Sequence, residues 1–337
     1  MKKFLIALVV LAMILSLAAC GASKKSTEST AEPAAADPAA DWPSKNINFY
    51  SAQAGGTVDV NFRALSKVLE PHLGVSIVNI NEGTVVTQDK CLKEDPDGYS
   101  FCMMLIPDVF MYMSPGDNGQ HRPEEFTMVA NIISEGAALA VHPDDERFKD
   151  CNDLADFIAY AKANSNENIL VAVGVPGNCH DITLRMLIDE TGCKNLKIIN
   201  TDGGISARKA TFQGGHVDVY IGNVGDAKQL QDDGEAKILG IFADERSKFL
   251  PDTKTALECG INVVYGSNRG IACSKDVDPA IVQKFVAALQ WAVEQPEYIE
   301  LMDATGMETK LQVLDEYDQF VAEQKTIFEG IVPTFGW

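Results

Sequence analysis

The chain has 337 residues, with 28 Lys plus Arg against 48 Asp plus Glu for a formal net charge of −20, and 46% of it is hydrophobic. That balance argues against a nucleic-acid partner, which needs a basic surface to neutralise phosphate, and against adhesion of the folded surface to anionic lipid. It leaves ligand charge open, because a local site can be positive inside an acidic protein.

Lys2 and Lys3 precede an uninterrupted apolar run from Phe4 to Leu15, followed by Ser16-Leu17-Ala18-Ala19-Cys20-Gly21. Residues 1–19 read as a secretory signal peptide, too short and wrongly flanked for a permanent membrane span. Leu17-Ala18-Ala19-Cys20 resembles the bacterial lipobox, which implies that Cys20 is diacylated and becomes the mature amino terminus. Two acyl chains anchor a protein stably where one does not. The alternative is an ordinary signal peptide with an incidental cysteine. Residues 20–41 are mostly Ala, Ser, Thr, Pro, Glu and Asp with no large apolar side chain, so they cannot bury enough surface to fold. They read as a disordered, lipid-anchored tether with a coil reach of about 25 Å over roughly 20 residues. The folded part is expected to begin near Trp42, and its length suggests about two domains.

Ile47, Phe49 and Ala52 read as a short strand, and Val58, Phe62, Leu65 and Leu69 recur at helical spacing. Between them, Ala54-Gly55-Gly56-Thr57-Val58-Asp59 delivers a strand end through two glycines to a helix amino terminus. Such a terminus binds anions, because its first N–H groups lack intrahelical partners and the helix dipole is positive there. The alternative is an ordinary turn with positive φ at the glycines and Thr57 as the cap. Val75–Ile80 reads as a strand, Thr87–Lys93 as a short helix, Asp95–Gly98 as a turn, and Tyr99–Ile106, Phe126–Ile133 and Ala137–Val141 as strands. A helix over Asp153–Ala163, capped by Asn152, precedes a buried strand, Ile169–Val173. Next comes a second glycine-bearing loop, 174–181, and a helix from Ile182 to Glu190 that stops at Gly192.

Leu196–Ile199 is a strand, Asp202-Gly203-Gly204 a third turn, Ser206–Phe212 a helix and Val217–Ile221 a strand that meets a fourth loop, 222–226. Ile238–Phe242 and two segments within Val263–Cys273 complete the strands. Ile281, Phe285, Ala288 and Leu289 mark one C-terminal helix, and Val313, Tyr317, Phe320, Ile327 and Phe328 a second helical region. Repeated βα units point to an α/β fold with mainly parallel sheets, whose ligands bind where strand ends lead into helix amino termini. His180 either contacts a ligand or caps its helix through Asp181. Asp59 is assigned to its own helix terminus, Asp226 to a first helical turn, and Arg208 and Lys209 to a solvated helix face or to the cleft.

Seven further cysteines, Cys91, Cys102, Cys151, Cys179, Cys193, Cys259 and Cys273, are odd in number and irregularly spaced. They form no disulfide framework and no CxxC pair, and most read as small buried residues, with one bridge left open. The five histidines make no metal-ligand cluster. A serine hydrolase needs a Gly-x-Ser-x-Gly elbow, and none is present. Cys179 beside His180 suggests a thiol nucleophile only if the base lies within reach. No P-loop or complete dinucleotide fingerprint occurs.

The order of these motifs resembles the extracytoplasmic solute receptors of tripartite tricarboxylate transporters, also called Bug receptors. The resemblance rests on Ala54-Gly55-Gly56-Thr57-Val58-Asp59, Pro96-Asp97-Gly98-Tyr99, Gly214-Gly215-His216-Val217-Asp218-Val219 and Leu250-Pro251-Asp252-Thr253-Lys254-Thr255, and runs from about Trp42 to Ile331. It implies a type II periplasmic-binding-protein fold of two α/β lobes, the first built from 42–138 plus 266–337 and the second from 139–265. The crossings are placed near Ala137–Val141 and Gly266–Cys273. It further implies a carboxylate held by Ala54, Gly55, Gly56 and Thr57 from the first lobe and Gly177, Asn178, His180, Gly204 and Ser206 from the second. Where amino-acid binders of the family have Asp-Ser to meet an ammonium, this chain has Gly222-Asn223, which argues against an amino-acid ligand and makes Asn223 a candidate donor to a second polar group. Asp108 and Glu82 replace the family's usual residues in two loops, and an anion should avoid both.

The expected function is therefore that of a membrane-anchored solute-binding protein, not an enzyme. It captures a small organic anion by lobe closure and passes it to the membrane subunits of a tripartite transporter. The expected partners are that anion, the transporter and the membrane through the N-terminal lipid, with the chain a monomer lacking cofactor, metal or nucleic acid. A sensor that signals ligand state to a membrane protein uses the same fold and is the second reading; a hydrolase is the third.

Overall fold

The computed structural model describes residues 39–52, 54–115, 120–202 and 204–336. The signal peptide, the acylation position Cys20 and most of the tether lie outside these residues. Strand β1 (Ile47–Ser51) buries Ile47 and Phe49 and leads into helix α1 (Thr57–Leu73), whose inner face is Val58, Phe62, Leu65 and Leu69, as their spacing requires. β2 (Ile77–Asn81), α2 (Thr84–Lys93) and β3 (Ser100–Ile106) follow. A 3-10 turn, Asp108–Met113, precedes β4 (Phe126–Val141). Then come α3 (Leu154–Ala163), β5 (Ile169–Val173), α4 (Cys179–Thr191), β6 (Leu196–Asn200) and α5 (Gly204–Gln213). β7 (Val219–Asn223), α6 (Val224–Asp232) and β8 (Lys237–Phe242) close this run. The chain ends with β9 (Gly266–Ser274), α7 (Pro279–Val293), α8 (Pro296–Thr305), β10 (Thr309–Val313) and α9 (Asp315–Ile331).

The strands run in the order β2-β1-β3-β9-β4-β7-β5-β6, with β10 and β8 also paired to β4. Pairing is parallel within β2-β1-β3 and within β7-β5-β6, as the βα units require, but antiparallel at every contact of β4 and β9. β4 is one 16-residue strand, where the sequence suggested two separated by Ser134-Glu135-Gly136. Those three residues stay extended because each pairs with β9, from Ser134 opposite Asn268 to Gly136 opposite Gly266. From Ala137 onward the same strand pairs with β7 and β8. Gly266 is needed there, since a Cβ would stand 1.9 Å from the Glu135 carbonyl oxygen.

One buried apolar cluster joins β1, β3, the first part of β4 and β9 to α1, α7 and α8. A second joins the end of β4 and strands β5 to β8 with α3 and α4. A third crosses between them, packing Val109, Phe110 and Phe328 with Cys179, Ile182 and Tyr265. The described cysteines are free thiols, all buried except the half-buried Cys259. Several boundaries differ from the sequence reading. Val313 lies in β10 rather than a helix, because the segment pairs with β4 at Ala130. Asp153, not Asn152, caps α3, its carboxylate accepting the Asp156 N–H at 3.1 Å. No helix of the described residues is long and apolar enough to cross a membrane.

Candidate functional site

The amino end of α4 is assembled from all the neighbouring strand ends. β5 is buried and runs into Gly174-Val175-Pro176-Gly177-Asn178. Gly177 takes φ of 83°, a left-handed conformation that only glycine adopts without strain. Its missing Cβ also makes room for Met111, whose Sδ would otherwise stand 2.6 Å away. α4 begins at Cys179, three residues earlier than its apolar spacing implied, because Asn178 rather than Asp181 caps it: Asn178 Oδ1 accepts the His180 N–H at 3.0 Å. This earlier start places His180 in the first turn, where it is buried.

His180 is held from both ring nitrogens. Arg208 Nη1 donates to Nδ1 at 2.8 Å, and a guanidinium can only donate, so Nδ1 is the acceptor and the ring proton sits on Nε2. Nε2–H then donates to Asn223 Oδ1 at 3.2 Å, and Asn223 Nδ2 donates to Asp226 Oδ2 at 3.1 Å. Burial, reinforced by the Arg208 charge, holds the imidazole well below its usual range, so it is neutral. A neutral histidine in the fold means that the unfolded chain takes up a proton first as pH falls below 6.5. Its contribution is therefore present above that pH and lost below it. The stability difference between the wild type and His180→Gln, read from urea midpoints, should shrink by about 2 kcal/mol between pH 7.5 and 5. A constant difference would mean that the fold leaves the His180 proton affinity unchanged, and a growing one that it favours the protonated ring.

Arg208 is itself buried, on the inner face of α5, rather than solvated beside Lys209 as its helical position suggested. Besides His180 it donates to the Ile221 carbonyl at 2.9 Å, and its Nε is buried without a partner. Among the described residues no carboxylate lies within ion-pair distance of it. An uncompensated buried guanidinium is costly, since it cannot lose its proton. By contrast, Arg269 on β9 and Glu135 on β4 form an ion pair in which both side chains are about 4% exposed or less.

The α1 terminus uses the same construction as α4. Asp59 Oδ2 accepts the Gly55 N–H at 2.9 Å and the Arg63 Nε at 2.9 Å. Asn81, at the end of β2, donates to Asp59 Oδ1 and to the Ala52 carbonyl, both at 2.8 Å. In α4, Asp181 accepts the Gly177 N–H at 3.0 Å and Arg185 Nε at 2.9 Å. There Asn200, at the end of β6, donates to the Gly174 carbonyl at 2.6 Å and to Asp181 Oδ1 at 3.4 Å. The sequence carries this device twice as Gly-x-x-x-Asp-x-x-x-Arg, at 55–63 and 177–185, a spacing whose repetition was readable but went unremarked. In both loops the aspartate takes the glycine N–H, and in α4 the Asn178 side chain also takes the His180 N–H. The cap of α1 is Gly56, with no side-chain bond, so Thr57 does not close that terminus.

The expected ligand residues divide accordingly. Asn178, His180 and Asn223 converge on one network with Arg208, and Gly177 stands beside it with its N–H taken by Asp181. Gly204 and Ser206 are exposed at the start of α5, one turn before Arg208. Ala54 and Gly55 are exposed and Gly56 and Thr57 half-buried; among the described residues no hydrogen bond joins them to the α4 network. A cavity of about 450 Å³ borders this network without including any of the expected residues; Glu135, Gly136, Val224, Tyr265 and Asn268 form part of its wall. Cys179 is not an activated nucleophile: burial, aided by Asp108, pushes its thiol up to about 12, and the neighbouring Nδ1 is occupied by Arg208.

A family model described as the tripartite tricarboxylate transporter family receptor matches residues 62–336. A protein of Cupriavidus necator, described as a UPF0065 protein in the gbd 5′ region, is 27% identical over 289 residues, covering 84% of this chain and 85% of its own. A TctC solute-binding protein from Polaromonas, solved without ligand, superposes with a TM-score of 0.72 at 21% identity, over 87% of this chain and 99% of that one. An R. palustris protein solved with adipate superposes with a TM-score of 0.73 at 20% identity, over 88% and 99%.

Proposed function

Because the chain belongs to the tripartite tricarboxylate transporter receptor family, we propose that it is a lipid-tethered solute receptor whose amino-terminal arm hangs from Cys20. On this reading it closes two lobes, 42–138 plus 266–337 and 139–265, on a small carboxylate. Receptors of this family are extracytoplasmic and bind solutes rather than transform them, and the fold is that of type II periplasmic binding proteins. The adipate-bound neighbour is a dicarboxylate complex on the same fold, which supports an organic acid as ligand.

The observation that carries the carboxylate reading is Arg208, a buried guanidinium that has no ion-pair partner among the described residues and that bonds the first turn of α4 through His180. A carboxylate supplies that charge, and the helix dipoles at the amino ends of α4 and α1 favour an anion there. The proposed contacts are Ala54, Gly55, Gly56 and Thr57 from one side and Gly177, Asn178, His180, Gly204, Ser206 and Asn223 from the other. The receptor acts as a monomer and hands its ligand to the membrane subunits of the transporter. Closure follows from contacts that both lobes make only when together, so the ligand shifts an existing open-closed equilibrium.

Thermal unfolding of the mature chain, freed of carried ligand by unfolding and refolding, tests the reading against mono-, di- and tricarboxylates, aromatic carboxylates and amino acids. An acid present at a hundred times its dissociation constant should stabilise the protein by about 2.7 kcal/mol. Stabilisation by uncharged sugars alone would refute the reading.

A further inference from the structure

The described cysteines fall into separate regions of the fold. Cys151 and Cys193 belong to the buried cluster of the second half of the chain, Cys259 packs against that cluster, and Cys179 stands beside Asn178 and His180 in the first turn of α4. Cys91, Cys102 and Cys273 are together in the first sheet. Cys91 and Cys273 both act on the Cys102 thiol, and Cys91 acts on Cys273. All three are free thiols and buried.

The alternation of the strands decides which two can meet. Cys91, in the last turns of α2, faces β3 directly, because its Sγ–H donates to the Ser100 carbonyl at 3.4 Å. Side chains two residues apart on a strand share a face, so Ser100 and Cys102 both lie on the side that α2 covers. Cys91 and Cys102 accordingly belong to one buried cluster, with Met104 and Ala272. Cys273 follows Ala272 on β9 and points through the sheet to the opposite cluster, beneath α1 and α7. The sheet therefore separates Cys273 from Cys91 and leaves Cys102 as the thiol within reach. Burial and the contact with Cys91 push the Cys102 thiol well above its ordinary range. Access differs between the two. Of the ten residues of α2 only Thr87, Gln88 and Cys91 are buried, and its Gly83 cap makes no side-chain bond, so this helix opens at small cost. Cys102 lies on β3, held between β1 and β9.

We infer that Cys91 and Cys102 are a modification site, joined by a low-molecular-weight disulfide into a bridge that staples α2 to β3. In the first step the Cys91 thiolate, exposed as α2 opens, attacks the reagent; the reagent S–S bond breaks, one reagent thiol leaves, and a mixed disulfide forms on Cys91. In the second, α2 closes again, and the Cys102 thiolate attacks the Cys91 sulfur and displaces the other reagent thiol. The two protein thiols give up two protons and two electrons, which the reagent carries away as two thiols. Because the Cys102 thiol holds its proton tightly, the second step is the slower one and the mixed disulfide is seen first. The bridge closes the loop 91–102 around the Asp95–Gly98 turn, where the Gly98 carbonyl accepts the Trp42 Nε1–H at 3.0 Å. Closing that loop removes conformations from the unfolded chain, so the oxidised protein is the more stable form.

The test is incubation of the reduced, folded mature chain with oxidised glutathione at mildly alkaline pH, followed by alkylation with N-ethylmaleimide in denaturant and peptide mass mapping. A glutathione adduct on Cys91 should appear first and give way to a linked peptide pair containing Cys91 and Cys102, lighter by two hydrogens than the reduced peptides. The oxidised protein should unfold at a higher urea midpoint than the reduced one, and dithiothreitol should abolish the difference. Cys273→Ser should form the same bridge at the wild-type rate, whereas Cys102→Ser should stop at the adduct on Cys91. Should Cys102→Ser not fold, the wild-type map and Cys273→Ser decide by themselves. A bridge from Cys91 to any cysteine other than Cys102 would overturn the inference. So would an adduct on wild-type Cys91 that never resolves, an oxidised form with a lower urea midpoint, or Cys91 and Cys102 both unreacted in the folded chain while the urea-unfolded chain is oxidised.

Discussion

Replacing Arg208 with Met should lower affinity for the bound carboxylate by about two orders of magnitude, while the ligand-free protein melts no lower than wild type. The two halves of that result have one cause. Removing one partner of a desolvated, hydrogen-bonded charge pair costs 2 to 5 kcal/mol, and every 1.4 kcal/mol is about tenfold in the dissociation constant. In the empty protein, however, the guanidinium has no ion-pair partner and its Nε no acceptor among the described residues, so its removal relieves a desolvation penalty. Met preserves most of the packing volume beneath Gly174, where the Arg208 side chain closes the space that a Cβ would enter. Isothermal titration of the variant, alongside its thermal melt, separates the effects. A large fall in melting temperature with unchanged affinity would assign Arg208 to the fold alone.

The opposite result is expected for the other buried arginine. Arg269→Ala leaves Glu135 buried with no positive partner, and breaking such a pair from one side destabilises by about 3 to 5 kcal/mol. Against a total stability of about 5 to 15 kcal/mol, this is the largest single-residue effect expected in the crossing strands. The deficit should depend on pH. Burial already raises the Glu135 carboxyl, so once Arg269 is gone the folded state holds a proton that the unfolded state releases above its ordinary range. Stability of the variant is then better retained at low pH and lost as pH rises, the reverse of the His180 effect. The double variant Arg269→Met with Glu135→Leu should recover most of the loss, since apolar replacement of both partners removes the stranded charge. Urea midpoints at pH 5 and pH 8 decide this. A single variant as stable as wild type at both values would show that the pair contributes nothing.

Much of the architecture was legible because it is local. The spacing of Val58, Phe62, Leu65 and Leu69 gave α1, and the apolar runs gave β5 and β8. What escaped was set by distant contacts. The 3-10 turn Asp108–Met113 carries an apolar sequence with no helical period, and its position depends on Gly177, 66 residues from Met111. β10 is short and half-exposed, so only its pairing with β4 marks it as a strand. The charged and polar side chains were the least readable. Arg208 looked like an ordinary helical surface residue because nothing in α5 itself reveals that the Ile221 carbonyl and the His180 ring wait on its inner side. The glycine loops, in contrast, were located from sequence, since a strand end, a glycine and a helix start are contiguous in the chain. Their geometry awaited Asn81 and Asn200, which reach back from later strands.

The twin aspartate latches have a consequence for how recognition can change over time. Asp59 and Asp181 fix their loops from beneath, through the protein's own hydrogen bonds. The backbone donors therefore hold their direction before any ligand arrives, and little loop entropy remains to be lost on binding. If Arg208 binds the solute as proposed, scaffold and selector are separate parts: a side chain such as Arg208 can drift toward a new solute while the latched loops stay as they are. A receptor built this way changes its diet by side-chain replacement, without re-evolving its fold.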